Sequence, residues 1–214
     1  MSEKEKLIDR VLGIIKGELP SQVVSRKRFI YAWPLDTLFS GRIGFNVTKN
    51  VGNGRIGLNP IVGVRSEQIE RLVEKLSHSG EDRFEATVNI SLGYLMPEKR
   101  YLEWVFEAQP DFDYVSEAKK IAKAIEVYGL PFMKKNATLD AIADDLEHLR
   151  FSFKESAVYR LPVAYFLLHN PELAMTFVKE QLQVLDGRQD AAALQYRTFG
   201  AAFLQEVFAG PASP

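Results

Sequence analysis

No cysteine occurs anywhere in the sequence, which excludes disulfides, thiolate nucleophiles and Cys-ligated zinc together. Histidine is almost as scarce. The three that occur, His78, His148 and His169, lie far apart, and none stands one helical turn from another. The spacing therefore offers no histidine metal motif, and neither a metal nor a cofactor is expected. An excess of either charge is missing too. With 27 basic residues against 28 acidic ones the formal charge is -1, so no global field draws the chain to nucleic acid or to an anionic membrane surface. Long apolar runs are absent: the longest, Leu161 to Leu168, is far short of the roughly 20 residues that span a bilayer. The charged start Met-Ser-Glu-Lys-Glu-Lys lacks the apolar core of a secretory signal. Together these absences lead to the expectation of a soluble, intracellular protein.

What is present is an ordinary globular composition, 46% apolar and 26% charged over 214 residues, long enough to bury a core without covalent staples. Ser2 and Glu5 have capping-box spacing ahead of an apolar stripe of Leu7, Ile8, Val11, Leu12 and Ile15, which predicts a first helix closed by Gly17 and Pro20. Phe29 to Trp33 reads as a short strand ended by Pro34. Phe39 to Lys49 alternates large apolar with small or polar residues, the Asn50–Gly54 stretch turns the chain, and Arg55 to Arg65 answers as a second strand. Ser66 stands at a helix-cap position before Ile69, Leu72, Val73 and Leu76, with Gly80 at the end. Alternation returns over Phe84–Tyr94 and Tyr101–Ala108, with a turn at Met96–Lys99.

From Asp111 onward the periodicity is helical. Ala118, Ile121, Ala122 and Ile125 form a stripe that Gly129 and Pro131 are expected to terminate. Thr138 caps the next helix, Pro162 opens a short one through Leu168, and Asn170–Pro171 starts another that Gly187 stops. A last helix, from about Ala191 to Phe208, carries Tyr196, Phe199 and Phe203. Strands first and helices afterwards predict an α+β fold, an antiparallel sheet of about four to five strands covered on one face by helices, with an all-helical C-terminal third. The expected organisation is a single domain over 1–209, with the sheet and its covering helices to about 150, a helical extension over about 151–209, and a flexible tail at 210–214.

Catalytic motifs are formal or incomplete. Gly52-Asn-Gly54-Arg-Ile-Gly57 satisfies G-x-G-x-x-G, but a strand follows it where dinucleotide binding needs a helix, so it reads as a hairpin turn. Ser116-Glu-Ala-Lys119 has the S-x-x-K spacing of penicillin-recognising acyl enzymes without their S-D-N and K-T-G elements. Asp144, Asp145 and Glu147 read as the solvated face of an amphipathic helix.

The outward side of the sheet remains. If the large residues at odd positions 39 to 47 point inward, Arg42, Asn46 and Thr48 point outward, and Asn59, Thr87, Asn89, Ser91, Tyr101, Glu103 and Glu107 are candidates to join them. Such a face suits a protein contact, and Arg42, Asn46, Asn59, Asn89, Tyr101, Glu103 and Glu107 are the candidate partner-binding residues; it is also what a solvated antiparallel sheet presents. An enzyme acting on a small polar substrate through Arg42, Glu103 and Glu107 is the alternative. A homodimer assembled through the aromatic last helix is a third.

The strand-turn-strand-helix passage from Gly44–Lys49 through Asn59–Val73, together with Gly129-Leu-Pro-Phe132 after a helix, resembles small bacterial domains of unknown function, some of them found among genes for toxins and their immunity proteins. The likeness covers roughly the first two thirds of the chain. Its motifs are structural, so no functional residue carries over. The resemblance implies a bacterial cytoplasmic protein that binds and neutralises a toxin; the lack of a complete catalytic constellation and the near-neutral charge lead separately to the expectation of a non-enzymatic binding protein of the immunity or adaptor kind.

Overall fold

The computed structural model describes residues 2–27, 29–49, 55–77, 85–107, 109, 111–152 and 154–209. The Asn50–Gly54 turn, His78, Gly80, Phe84, Ala108 and the tail lie outside them. In chain order the elements are α1 (Glu3–Glu18), β1 (Val24–Lys27), β2 (Ile30–Pro34), β3 (Phe39–Thr48), β4 (Ile56–Ser66), α2 (Glu67–Ser77), β5 (Val88–Ser91), β6 (Trp104–Phe106), α3 (Tyr114–Ala124), α4 (Leu130–Lys135), α5 (Leu139–His148), α6 (Lys154–Leu167), α7 (Pro171–Val184) and α8 (Ala191–Ala209). A 3₁₀ turn occupies Leu92–Tyr94 and a π turn Ile125–Gly129. The fold is α+β, with an antiparallel sheet and a helical C-terminal third. By contacts the chain divides into two compact units, Met1–Arg65 with Asn89–Ala137, and Ser66–Val88 with Thr138–Pro214.

In the first unit the Ser2–Glu5 capping box forms as the spacing predicts. Glu5 N donates to Ser2 Oγ at 3.3 Å and Ser2 N to Glu5 Oε2 at 3.0 Å. The stripe from Leu7 to Ile15 is buried and α1 packs on α3. The sheet runs β1-β2-β3-β4-β5, and β6 also pairs with β4 over Ile56–Leu58. Phe39, Ile43 and Phe45 are buried on the helix side, and Tyr31, opposite Ile43, sets its ring edge-on to Phe45. Two glycines let helix and sheet approach closely. A Cβ at Gly41 would stand 2.6 Å from Met133 Sδ, and one at Gly129 would stand 3.0 Å from Val62.

Two sequence expectations change here. Gly129 and Pro131 do not terminate the helix. Leu130 N bonds back to Ile125 O in the π turn, and Pro131 then falls in the first turn of α4, where its missing N–H is not needed. The strands read over Phe84–Tyr94 and Tyr101–Ala108 are shorter, β5 and β6 covering only their middles.

In the second unit Thr138 Oγ1 accepts from Ala141 N at 3.1 Å and Asn170 Oδ1 from Leu173 N at 3.3 Å, as capping residues do. Pro162 does not open a helix but sits inside α6. A proline there orphans the carbonyl four residues back, and Tyr196 OH donates to that carbonyl, Val158 O, at 3.4 Å. The aromatic stripe of α8 is spent within the chain. Tyr196, Phe199 and Phe203 are buried, with Tyr159 edge-on to Tyr196 and Phe199 and Phe166 edge-on to Phe203, so these rings present no face to a second copy.

A largely buried polar network joins α2, α6 and the stretch before β5, and Arg160 Nη2 also reaches Oε2 of the exposed Glu85 at 3.6 Å. Arg160 meets both oxygens of Glu70, Nε to Oε1 at 2.9 Å and Nη2 to Oε2 at 3.2 Å, while Nη1 donates to Thr87 O at 3.3 Å. Thr87 Oγ1 donates to Glu70 Oε1 at 2.7 Å and accepts from Ser66 N at 2.9 Å. Among the described residues, no helix is long and apolar enough to cross a membrane.

Candidate functional site

The outward side of the sheet is not the open polar surface that the alternation predicts. Every residue of β4 except Ile61 is buried. Arg42, 8% exposed, folds along its own strand, Nη1 donating to Ser40 Oγ at 2.6 Å and to Gly41 O at 3.3 Å. Asn59 is 1% exposed. Neither presents a face to a partner, which corrects their assignment as contact residues. Thr87 is buried as well, its hydroxyl committed to Glu70 and Ser66. Asn46 is exposed at the end of β3, Asn89 half-buried in β5, and Tyr101 53% exposed.

Glu103 crosses β4 to reach β3. Its Oε1 accepts from Thr48 Oγ1 at 2.7 Å, and its side chain lies flat over Gly57, where a Cβ would come within 2.3 Å of Cδ. Only glycine leaves that path open. Glu107 pairs instead with Arg55, Oε1 to Nε at 2.7 Å. It also borders a cleft of about 210 Å³ with Glu3, Lys6, Leu7, Arg10, Gln109 and Tyr114. Arg42, Glu103 and Glu107 therefore do not converge. Arg42 bonds near Ser40 while Glu103 ends at Thr48, and the six residues from 42 to 48 span about 20 Å of strand.

Asn59 has a different role from the one its residue type predicts. Its amide nitrogen has two hydrogens and uses both, donating to Ser91 Oγ at 2.7 Å and to Leu102 O at 2.7 Å. Leu102 O can only accept, which fixes the amide orientation. One buried side chain on the central strand thus ties together the entry and exit of the connection between β5 and β6. Inside that clasp Arg100 N donates to Gly93 O at 3.3 Å, and the two strands of the loop approach so closely that a Cβ on Gly93 would lie 2.4 Å from Arg100 O. Leu95 N bonds to Leu92 O at 2.9 Å, and Lys99 N to Met96 O at 3.0 Å, the turn the sequence predicts. Lys99 sits at φ 47°, a left-handed conformation that costs a non-glycine residue about 1–2 kcal/mol. The loop displays Tyr94, 49% exposed, and Tyr101 on either side of the exposed Pro97–Arg100 tip.

The other motifs resolve into structure. Ser116 N is capped by Asp113 Oδ1 at 3.0 Å, and Lys119 pairs with Glu18 at 3.3 Å. Among the described residues no three metal-ligating side chains gather. His148 Nδ1 stands 2.8 Å from Asp144 O, and Asp144 also pairs with Arg150. Asp145 is not on the solvated face read from the sequence. It is 2% exposed, with Ser152 Oγ donating to Oδ2 at 2.5 Å and no hydrogen bond at Oδ1 among the described residues. Burial raises its carboxyl above the usual range, against the lowering effect of the Ser152 hydroxyl. Burial likewise pushes the Tyr165 phenol up to about 12, Glu147 adding to the shift, and raises that of Tyr196.

No family model, curated protein or solved structure matches the chain. The geometry therefore carries the functional reading by itself. It joins Thr48 to Glu103 by a hydrogen bond and sets the tyrosine-flanked loop immediately before β6. Sequence reading named Tyr101 and Glu103 but not Tyr94, Lys99 or Arg100. Gly93 within an alternating run was the available signal, because glycine in a strand pattern marks a close backbone approach.

Proposed function

We propose that the chain is a protein-binding domain of the immunity or adaptor kind, which engages its partner through the loop between β5 and β6 and the adjoining residues Glu103 and Val105. The observation that carries this reading is the Asn59 clasp. A buried polar side chain spends both donors on holding an exposed loop in one conformation, and a loop ordered in advance loses little entropy on binding. Tyrosine is the residue type that protein contacts favour, since a ring supplies a large apolar area with few torsions to freeze. Glu103 is fixed by Thr48 and Val105 is exposed beside it, giving a rigid mixed surface next to the loop. The resemblance to bacterial domains found beside toxin genes makes a toxin the partner class to try first.

The test is capture from the native host with the intact chain, alone and with its neighbouring gene products, set beside Tyr101→Ala and Glu103→Arg. A stoichiometric protein retained by the natural chain and lost with both variants is the expected outcome. Retention by both variants, or no stoichiometric partner at all, contradicts the reading.

A further inference from the structure

From the charge and order of the loop tip we infer that it receives an acidic segment of the partner protein, the tip's Lys99 and Arg100 meeting carboxylates while Tyr94 and Tyr101 pack against the flanking side chains. The inference rests on the protein-binding reading and adds the chemistry of what is bound.

Its basis is a pair of adjacent exposed cations on an ordered loop; Arg10, Lys16 and Lys135 of the same unit also form no ion pair among the described residues, but they stand on α1 and α4. Lys6 pairs with Glu3, Arg55 with Glu107, Lys119 with Glu18, Lys120 with Glu117 and Lys123 with Glu126. Their charges are already answered. Lys99 and Arg100 are both exposed, adjacent in sequence, and form no ion pair among the described residues. Glu98 offsets one of the two, which leaves the tip with a net positive charge in a chain whose formal total is -1. The backbone that bears them is fixed on both sides, by Arg100 N on Gly93 O and by Lys99 N on Met96 O. The left-handed backbone at Lys99 is a strained conformation of the kind that concentrates at binding sites. Paired cations between two aromatic rings also describe a single-stranded nucleic acid platform. The protein segment is favoured because such platforms string their cations along a groove that tracks the phosphate backbone, whereas the two cations of the tip are flanked by the carboxylates of Glu98 and Glu103.

The experiment is an NMR titration of the intact, isotope-labelled chain with three probes: an acetylated and amidated hexapeptide Glu-Asp-Tyr-Glu-Asp-Glu, its counterpart with Lys in place of each acidic residue, and a single-stranded oligothymidylate. The acidic peptide should shift the amides of residues 93–101. That shift should fall at least fivefold in Lys99→Glu/Arg100→Glu and should persist in Arg10→Glu, which changes an exposed cation elsewhere in the unit. Absence of shifts at 93–101, equal shifts from the lysine peptide, or tighter binding of the oligonucleotide would overturn the inference. Lys99→Glu/Arg100→Glu is also applied to the captured partner. If the partner is lost with Tyr101→Ala yet kept with the double charge reversal, the protein-binding reading stands and the acidic segment does not. If no partner is captured while the acidic peptide binds, the acidic chemistry stands and the wider reading fails.

Discussion

The two units bury polar groups to opposite ends. In the helical unit Glu70, Arg160, Thr87 and Ser66 bond to one another, and all four are buried. In the sheet unit Asn59 is equally buried, yet the segment it fixes is exposed, a loop that ends in two tyrosines and two cations. A satisfied buried ion pair adds little net stability over apolar packing but specifies which elements meet. A buried amide that restrains a surface loop specifies the shape of that surface instead. The contrast separates the polar residues that hold a fold from those that hold a surface.

The sharpest way to break the contrast is at Arg160. Arg160→Met removes the cation that meets both oxygens of the buried Glu70 and should cost about 3–5 kcal/mol, seen as a lowered urea midpoint, whereas adding Glu70→Leu should recover part of the loss. If the double variant is no better than the single one, the network does more than satisfy itself. Next in size is Asn59→Asp, isosteric but without donors, which strands Leu102 O against a carboxylate while Ser91 can turn its hydroxyl to donate, and should cost roughly 1–3 kcal/mol. Here the loss should appear locally as faster amide exchange at Arg100. Tyr196→Phe should cost about 1 kcal/mol, because Val158 O then has neither the Pro162 N–H nor a hydroxyl. Thermal unfolding checks it.

The smallest effect is a pH dependence at Asp145. Its folded-state carboxyl is raised by burial, so its favourable contribution is present below the unfolded value and lost as pH rises through the folded one. The stability of the natural chain relative to Asp145→Asn should therefore increase as pH is lowered across that window. Urea midpoints for the two chains over an acid pH series measure this, and a flat difference contradicts it.

Local signals in the sequence were read correctly where one turn of chain holds both partners. The Ser2–Glu5 box, the Thr138 cap and the Asn170–Pro171 start each depend on residues three apart or fewer. What failed depends on partners distant in sequence. Pro162 looks like a helix start because the donor that replaces its N–H at Val158 O belongs to Tyr196, 38 residues beyond Val158. Asn59 looks like a surface residue because its acceptors are 32 and 43 residues away. Gly57 gives no hint that Glu103 needs its missing side chain. The packing of Ser66–Val88 with Thr138–Pro214 likewise has no linker or composition shift to announce it.

Whether the clasp shapes the binding surface is tested directly by the dissociation constant of the captured partner for Asn59→Ala, measured by calorimetry beside the natural chain. The loop should keep its residues and lose its order, so affinity should fall at least tenfold while circular dichroism stays that of the folded protein. A folded Asn59→Ala chain that binds with unchanged affinity would mean that the loop is held for some other reason, and the proposed surface would have to be abandoned.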